Sequence, residues 1–170
     1  MDAGNGPCRT PEETLNRLIS QYHTPLYRMC CVILEDPAAA EDAIQETFRK
    51  AYRALSTFRG QCSEKTWLTS IAVNTCRDMR KSAWFRHTEK RVTPEELSIP
   101  APTRDEDALA LGLLIARLPE KYRVAVLLYY YQDMTMQETA TLLKTSPSNI
   151  AKRLARARDI LRKELEVTQP

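Results

Sequence analysis

The sequence has 170 residues, of which 43% are hydrophobic and 28% are charged, and its formal net charge is +3. This length is enough for one or two small globular domains. No apolar run is long enough to cross a bilayer, and the N-terminal MDAGNGPCRT lacks the basic and then apolar pattern of an export signal. We therefore expect a globular cytoplasmic protein with no membrane insertion.

The cysteines are odd in number and form no C-x-x-C pair: they are Cys8, Cys30, Cys31, Cys62 and Cys76. Only two histidines accompany them and no glycine-rich phosphate-binding loop is present, so we expect neither a metal nor another cofactor. Cys30, Cys31 and Cys76 fall on largely apolar helical stretches, which favours core thiols. Cys62 falls in a loop and is the better candidate for a reactive thiol. A reducing cytoplasm fits this pattern.

Helical periodicity covers most of the chain and strand signals are nearly absent, so the sequence predicts an all-α fold. A capping box at Thr10–Glu13 opens the first helix, in which Pro25 predicts a kink or a break because proline cannot donate to the helical ladder. Asp36 and Pro37 begin the second helix, and a loop containing Gly60 precedes the third. These three helices are predicted at about 10–34, 37–55 and 64–85.

The periodicity is lost over residues 86–105, which contain three prolines, and returns in two further helices at about 106–117 and 119–132. The sequence therefore predicts two small helical domains joined by a flexible linker. We place the first domain at 10–91, the linker at 92–105 and the second domain at 106–167.

Two more helices, joined by a very short turn, follow in the second domain. Thr135 and Glu138 match a capping box at the start of the first, and Ser146 and Pro147 suit the N-cap and the first turn of the second. This arrangement predicts a helix-turn-helix, whose second helix enters the DNA major groove. The turn lacks the usual glycine, so we expect Lys144 to adopt a left-handed conformation.

Residues 146–165, SPSNIAKRLARARDILRKEL, carry six basic and two acidic side chains on this second helix. An apolar stripe predicts the face that packs inward: Ile150, Leu154, Ala157, Leu161 and Leu165. The opposite face begins with small and polar side chains, which suits the major groove, and continues with long cations suited to phosphates. These cations are Arg156, Arg158, Arg162 and Lys163. The alternative is an ordinary helical hairpin with a solvated basic face.

Charge is segregated along the chain. Residues 144–163 contain seven Lys or Arg against one Asp, and residues 65–91 contain seven against two acids. Residues 35–48, in contrast, contain five acids and no basic side chain. Two basic segments and one acidic segment indicate two nucleic-acid contacts and a separate protein contact.

Two blocks of this sequence resemble a known family. AEDAIQETFRKAY (40–52) and FRGQCSEKTWLTSIAVNTCRDMRK (58–81) resemble region 2 of the extracytoplasmic-function (ECF) family of bacterial RNA polymerase sigma factors. LIARLPEKYRVAVLLYYYQDMTMQETATLLKTSPSNIAKRLARARDILRKEL (114–165) resembles region 4 of the same family. The resemblance covers about residues 14–85 and 108–166. It implies a factor that directs promoter-specific transcription initiation and is not an enzyme.

For region 2 the resemblance implies two binding surfaces. The second helix matches the family's contact with the clamp helices of the largest RNA polymerase subunit, at Asp42, Gln45, Glu46 and Arg49. The following loop and third helix match the part that binds the single-stranded −10 element, at Phe58, Arg59, Lys65, Asn74, Arg77, Arg80 and Lys81. Asn74 matches the pocket for a base flipped out of the stack, and Phe58 offers either a stacking face or a buried contact. Trp67 and Ile71 are expected in the core.

For region 4 the resemblance implies contacts with double-stranded −35 DNA and with the β flap of the polymerase. The positions that match the −35 contacts are Ser148, Asn149, Ala151, Lys152, Ala155 and Arg156. The sequence departs from the family pattern at Lys144, where a glycine is common, and at Ser148-Asn149, where Gly-Thr is frequent. Ala151 and Ala155 offer little hydrogen bonding, so base recognition rests on Asn149, on Lys152 and on DNA shape.

The resemblance also implies an anti-sigma factor as a partner, and we expect a monomer when no partner is bound.

Three other functions remain open. A free-standing helix-turn-helix repressor or activator would need a dimer interface or a sensor domain, and would leave the acidic helix unexplained. A redox or metal sensor would work through Cys30, Cys31, Cys62 and Cys76. An enzyme would need a nucleophile–base pair, and none is recognisable.

Overall fold

The computed structural model describes residues 10–82 and 106–168, and side chains over 10–82 and 111–166. Cys8 and the predicted linker at 92–105 lie outside these residues. Throughout the described residues the regular structure is helical, which confirms the predicted all-α fold. No helix in this part of the chain is long and apolar enough to cross a membrane.

Seven α-helices occur within the described residues. In chain order they are α1 (Pro11–Leu34), α2 (Pro37–Ala54), α3 (Glu64–Lys81), α4 (Glu106–Arg117), α5 (Glu120–Val126), α6 (Met136–Leu142) and α7 (Pro147–Thr168). A 3-10 turn at Leu55–Thr57 follows α2, and a π-helical segment at Leu127–Tyr131 extends α5.

The helices begin where the predicted caps lie. The Thr10 hydroxyl accepts a hydrogen bond from the Glu13 amide at 3.2 Å, and the Glu13 carboxylate accepts one from the Thr10 amide at 2.9 Å. The Asp36 carboxylate accepts hydrogen bonds from two backbone amides at the start of α2. Thr135 and Glu138 form the second reciprocal capping box, at the start of α6. Each cap supplies acceptors to amides that the helix itself leaves unpaired.

Two sequence predictions differ in part from the structure. Of the kink or break predicted at Pro25, the break does not occur, because helix α1 continues through this residue. Leu18, Leu26 and Met29 on either side are buried in one core, and this packing outweighs the hydrogen bond that proline removes. Helix α3 ends at Lys81 rather than at residue 85, because Ser82 is extended and its hydroxyl donates to the Met79 carbonyl at 2.7 Å.

Helices α1, α2 and α3 enclose the core of the first unit. Leu18, Leu26, Ile44, Leu68 and Val73 are among its fully buried side chains. Burial of each such side chain contributes about 1.5–3 kcal/mol. Alanines dominate the buried face of α2, which allows α2 to lie close to its neighbours. The first unit is thus a three-helix packing that holds the outer face of α2 and one face of α3 in fixed positions.

Helices α4 to α7 enclose a second, smaller core around Ile115, Ile150 and Leu154. The predicted apolar stripe of α7 is correct at Ile150, Leu154 and Ala157, which are buried. It is wrong at Leu165, which is 43% exposed. All side chains from 162 to 166 are exposed, so the last turns of α7 extend past the core that its earlier turns cover.

The two units pack against each other. Val124, Leu127, Leu128 and Met134 of the second unit belong to the same buried cluster as the core of α1–α3. The buried segment that leads out of α5 therefore lies between the two cores. The sequence predicts two domains and does not predict this shared apolar interface.

Candidate protein- and nucleic-acid-binding surfaces

The acidic helix α2 presents a polar face to solvent. Its buried side includes Ala40, Ile44 and Phe48, and this leaves Asp42 and Gln45 exposed on the other side. The remaining members of the predicted polymerase-binding set lie beside them: Glu46 is half-buried, Arg49 is exposed, and the two form an ion pair. An ion pair within one exposed helix face contributes only a few tenths of a kcal/mol, so the face stays available to a partner.

The loop before α3 positions an aromatic pair. The Phe58 and Trp67 rings stack with centroids 4.6 Å apart and planes 22° apart. Phe58 is half-buried, so the structure gives it an intramolecular stacking partner and still leaves part of the ring accessible. Trp67 and Ile71 pack against the core, as predicted.

The predicted −10 residues on and before α3 divide into two groups. Arg59, Asn74 and Lys81 are exposed. The other three cations, Lys65, Arg77 and Arg80, are half-buried and contact the second unit. The structure therefore places Asn74 where a base could reach it and directs part of the predicted phosphate-binding set inward.

Each of these three cations has a partner in the second unit. Lys65 lies 2.5 Å from the Asp133 carboxylate, and Arg77 donates to the Leu142 carbonyl at 2.9 Å. Arg80 pairs with Glu120 at 2.8 Å. Sequence reasoning missed the partner residues, because exposed acids and backbone carbonyls carry no pattern that names their contacts.

The turn of the helix-turn-helix has the predicted backbone. Lys144 has a φ of 51°, and the Thr145 amide closes the end of α6 on the Ala140 carbonyl at 2.9 Å. The Ser146 hydroxyl accepts from the Asn149 amide at 3.2 Å, which confirms Ser146 as a cap. A left-handed residue is therefore needed between α6 and α7, although the side chain there is a lysine.

We expect Lys144→Gly to raise the free energy of unfolding by about 0.5–1 kcal/mol. A left-handed conformation costs a residue with a Cβ about 1–2 kcal/mol, and the greater freedom of glycine in the unfolded chain offsets part of the gain. Urea denaturation at unchanged m-value measures the difference. Lys163→Gly, at an exposed position inside α7, is the matched control and should lower stability by about 1 kcal/mol. Equal losses in the two variants would contradict the expected strain at Lys144.

The outward face of α7 matches the predicted −35 set. Of these positions Ser148, Asn149, Lys152, Ala155 and Arg156 are exposed and Ala151 is half-buried. The Asn149 side-chain amide donates to the Thr145 hydroxyl at 2.8 Å, which holds it at the N-terminal end of the helix. Arg158 donates to the Tyr130 hydroxyl at 3.3 Å. The outward side of the first turns of α7 is thus exposed, as insertion in a groove requires.

Two family models match the chain in order: Sigma-70 region 2 over residues 18–86 and Sigma-70 region 4 over residues 108–161. The ECF RNA polymerase sigma factor SigX of Bacillus subtilis is 28% identical, over 92% of this chain and 86% of its own length. The RNA polymerase sigma-H factor of Pseudomonas aeruginosa is 28% identical, over 93% of this chain and 89% of its own length. The chain belongs to the ECF family of sigma factors. It is therefore a transcription initiation factor and not an enzyme.

Solved structures show the same fold as this ECF sigma factor. The sigma factor RpoE from Bartonella quintana, in complex with the anti-sigma factor NepR, has a TM-score of 0.67 at 22% identity, with 91% of this chain and 98% of that chain covered. CnrH, in complex with the cytosolic domain of CnrY, has a TM-score of 0.66 at 22% identity, with coverages of 92% and 90%. Helices α1–α3 are region 2 of this fold, and α4–α7 are region 4.

Three of the four described thiols of the sigma factor are buried, and Cys62 is half-buried. Cys30, Cys31 and Cys76 are buried, as predicted. A hydrogen bond with Cys76, together with burial, raises the pKa of the Cys30 thiol, and burial raises the pKa of Cys31 and of Cys62. Because the thiolate is the reactive form, each shift opposes oxidation at neutral pH, and this weakens the redox alternative.

Proposed function

We propose that this ECF sigma factor binds core RNA polymerase through region 2 and directs it to promoters with −10 and −35 elements. The observation that carries the proposal is the presence of two exposed faces on different helices: a polar, acidic face on α2 and a cationic helix-turn-helix face on α7. An initiation factor must hold a protein and a polyanion at the same time. The acidic face in region 2 suits a protein partner, and the cationic face in region 4 suits DNA.

The polymerase contact that we propose is formed by Asp42, Gln45, Glu46 and Arg49, against the clamp helices of the largest subunit. These side chains lie on one side of α2, and alanines and Ile44 anchor the other side in the core. A rigid helix that presents preset side chains loses little conformational entropy on binding. Region 4 provides a second contact, with the β flap. Both contacts place the protein in the cytoplasm with the polymerase.

The −35 contact that we propose uses the N-terminal turns of α7 in the major groove of duplex DNA. Asn149 is held by Thr145, and an asparagine amide in a fixed orientation matches the N6 and N7 edge of adenine. Lys152 lies one turn farther along the same face and suits a guanine edge or a phosphate. Ala151 and Ala155 allow the helix to approach the bases closely.

The −10 contact that we propose uses single-stranded DNA along α3 and the loop before it. Asn74 offers a donor and an acceptor to a flipped base, and the ring of Phe58, supported by Trp67, offers an apolar surface beside it. Arg59, Lys65, Arg77, Arg80 and Lys81 supply positive charge for the phosphates. Such contacts offset the few kcal/mol that base extrusion costs.

An anti-sigma factor is the regulatory partner that we propose. The proposed polymerase-binding face of α2 and the proposed −35 face of α7 are exposed on a protein that we expect to be monomeric, and a partner that covers them would keep it inactive. RpoE from Bartonella quintana, which shares the fold, was solved in complex with the anti-sigma factor NepR.

Native co-purification with bacterial core RNA polymerase tests this function. We expect a complex of the chain with core enzyme that initiates transcription on DNA selected from a random-sequence pool. A chain that binds a palindromic duplex as a stable dimer, and fails to bind core enzyme, would instead be an ordinary helix-turn-helix regulator.

We expect Lys152→Ala to abolish the preference for one base pair of the −35 element, with a loss of about 1–3 kcal/mol at that position. Competition binding of the holoenzyme to −35 sequences that differ at single positions measures the loss. Lys163→Ala is the matched control, since its side chain lies four turns from the N-terminus of α7 and should affect all sequences equally. A uniform loss for Lys152→Ala would make Lys152 a phosphate contact.

A further inference from the structure

A cavity of about 260 Å³ between α3, α5 and α7 is surrounded by cationic side chains. Arg77 and Arg80 line it from α3, and Lys121 of α5 and Arg153 of α7 line it from the other side. Among the described residues that line it, Glu120 is the one carboxylate. Cations with low-dielectric walls beside them raise the local concentration of anions, so the composition of this cavity indicates an anion site.

Within the described residues, one of the four cations has a carboxylate partner. Arg80 pairs with Glu120 at 2.8 Å and also donates to the Ile33 carbonyl at 3.2 Å. Arg77 donates to the Leu142 carbonyl at 2.9 Å, and this neutral acceptor leaves its charge uncompensated. A guanidinium carries five N–H donors, so both side chains keep donors for a ligand while backbone carbonyls hold them in place.

The other two cations come from α5 and α7. Arg153 is half-buried and, in the part of the chain that the structure describes, has neither a hydrogen bond nor an ion pair. The Lys121 ammonium lies 4.9 Å from the centre of the Tyr122 ring, which supplies no formal negative charge. Partial burial of an unpaired guanidinium is unfavourable, and an anion in the cavity would offset that cost.

A neighbouring cation on α5 provides the contrast. Arg123 is 3% exposed, and its guanidinium pairs with the Glu35 carboxylate and donates to the Ala116 carbonyl at 2.6 Å. A cation withdrawn from water is unfavourable without such a carboxylate. The fold thus supplies a carboxylate to the cation that it buries, and it leaves the charge of three cavity cations uncompensated.

The lining also indicates the class of anion. Guanidinium groups bind phosphate oxygens in a bidentate geometry, and three uncompensated cations suit an ion with several negative charges. Apolar side chains complete the wall and strengthen the attraction by excluding water: Ile33, Val73, Val124 and Leu143. Sites for drug-sized ligands measure about 300–1,000 Å³. The cavity is smaller, so it suits two or three linked phosphates better than a whole nucleotide.

We propose that this cavity binds a small polyphosphate anion, held by Arg77, Arg80, Lys121 and Arg153. The ligand is either an inorganic polyphosphate or the polyphosphate group of a nucleotide whose sugar and base stay outside. Because one ligand contacts three helices of the folded chain, it also raises the unfolding temperature. The inference does not rest on the proposed promoter contacts, to which Lys121 and Arg153 do not belong.

Isothermal titration calorimetry of the full-length chain with sodium tripolyphosphate, without divalent cations, tests the site. We expect one ion to bind per chain with a dissociation constant below about 1 mM. Sodium sulfate at equal ionic strength should bind at least about tenfold more weakly, because it offers fewer charges and no linked phosphates. Equal binding of sulfate would indicate an adventitious ion only, and it would overturn the proposal, as would no binding of tripolyphosphate.

Two further ligands distinguish the sources of the anion. Adenosine triphosphate should bind and adenosine should not. Affinities that match for adenosine triphosphate and tripolyphosphate support an inorganic polyphosphate, and a tighter complex with adenosine triphosphate supports a nucleotide. A chain that binds single-stranded DNA through Arg153 and does not bind tripolyphosphate would make the cavity part of a DNA contact and overturn the proposal.

Two substitutions at the cavity should change the affinity in opposite directions. Arg153→Gln should weaken tripolyphosphate binding at least about tenfold, because it removes a charge-assisted contact. Glu120→Gln should tighten binding by about three- to tenfold, because it removes the carboxylate that competes for Arg80. Glu120 is exposed, so Glu120→Gln tests the proposal even if Arg153→Gln fails to fold.

Arg162→Gln is the matched control for the loss of charge. Arg162 is exposed on α7, nine positions after Arg153, which is about 14 Å along the helix and beyond the screening length of about 10 Å at 0.1 M salt. We expect this variant to bind tripolyphosphate as the wild type does. Equal affinities of Arg153→Gln, Glu120→Gln and Arg162→Gln would overturn the proposed site.

Discussion

Replacing Asp42, Gln45 and Glu46 together with alanine should weaken binding to core RNA polymerase by about 30- to 1,000-fold. Side chains at the centre of an interface each contribute up to several kcal/mol, and a total loss of about 2–4 kcal/mol corresponds to that range. The three positions lie on the outer side of α2, so the buried face that holds the helix in region 2 is unchanged. Fluorescence titration of labelled chain with core enzyme measures the affinity.

The matched control replaces the same three residue types on region 4: Gln137, Asp159 and Glu166, all of them exposed. We expect it to retain most of the affinity, because the main contact lies on region 2. Both triple variants should keep the helical circular dichroism and the unfolding midpoint of the wild type within small limits, since exposed substitutions change stability by about 0.5 kcal/mol or less. Equal loss of affinity in the two variants would show that general charge, and not the α2 face, governs the association.

The local features of this fold could be predicted because their causes lie within a few residues. The capping boxes at Thr10 and Thr135 need only a hydroxyl and a glutamate three residues later, and both are present in the structure. Lys144 was predicted to be left-handed because two helices meet within a few residues, and its φ of 51° agrees. The alternation of buried and exposed positions on α2 followed from its helical period.

The sequence predictions are wrong where tertiary packing determines the structure. Pro25 breaks an isolated helix, but a continuous buried face on both sides of it keeps α1 intact. Leu165 continues an apolar period and is nevertheless exposed, because the helix outlasts the core beneath it. The period shows which side chains share a face, and it contains no information on where the partner of that face ends.

The interface between the regions could not be predicted, although one residue signalled it. Arg123 directly precedes the apolar run that begins at Val124, and a cation buried at such a position needs a partner. Nothing in the sequence identifies Glu35 as that partner, since 88 positions separate the two and neither belongs to a motif. For the same reason the sequence could predict that Arg77 and Arg80 bind phosphates, but it could not show that both side chains contact region 4.

Asn74→Ala should impair promoter opening by about 10- to 100-fold and leave core binding unchanged. Asn74 is exposed on α3, so its loss removes a polar contact without creating a cavity. A flipped base that loses its hydrogen-bonding partner is left about 1–3 kcal/mol less favourable, against an extrusion cost of a few kcal/mol. Permanganate reactivity of unpaired thymines, on a promoter selected by the holoenzyme, measures the opening.

A pre-opened template separates this role from a general defect. On a promoter with a mismatched −10 segment the unpairing cost is already met, so Asn74→Ala should initiate with a much smaller deficit. Asn16→Ala, an exposed asparagine on α1, is the matched control and should behave as the wild type on both templates. A deficit of equal size on both templates would assign Asn74 to a step after opening. Asn16 shares only its exposure and residue type with Asn74. If Asn16→Ala showed the same deficit, base recognition by Asn74 would not be the cause of that deficit.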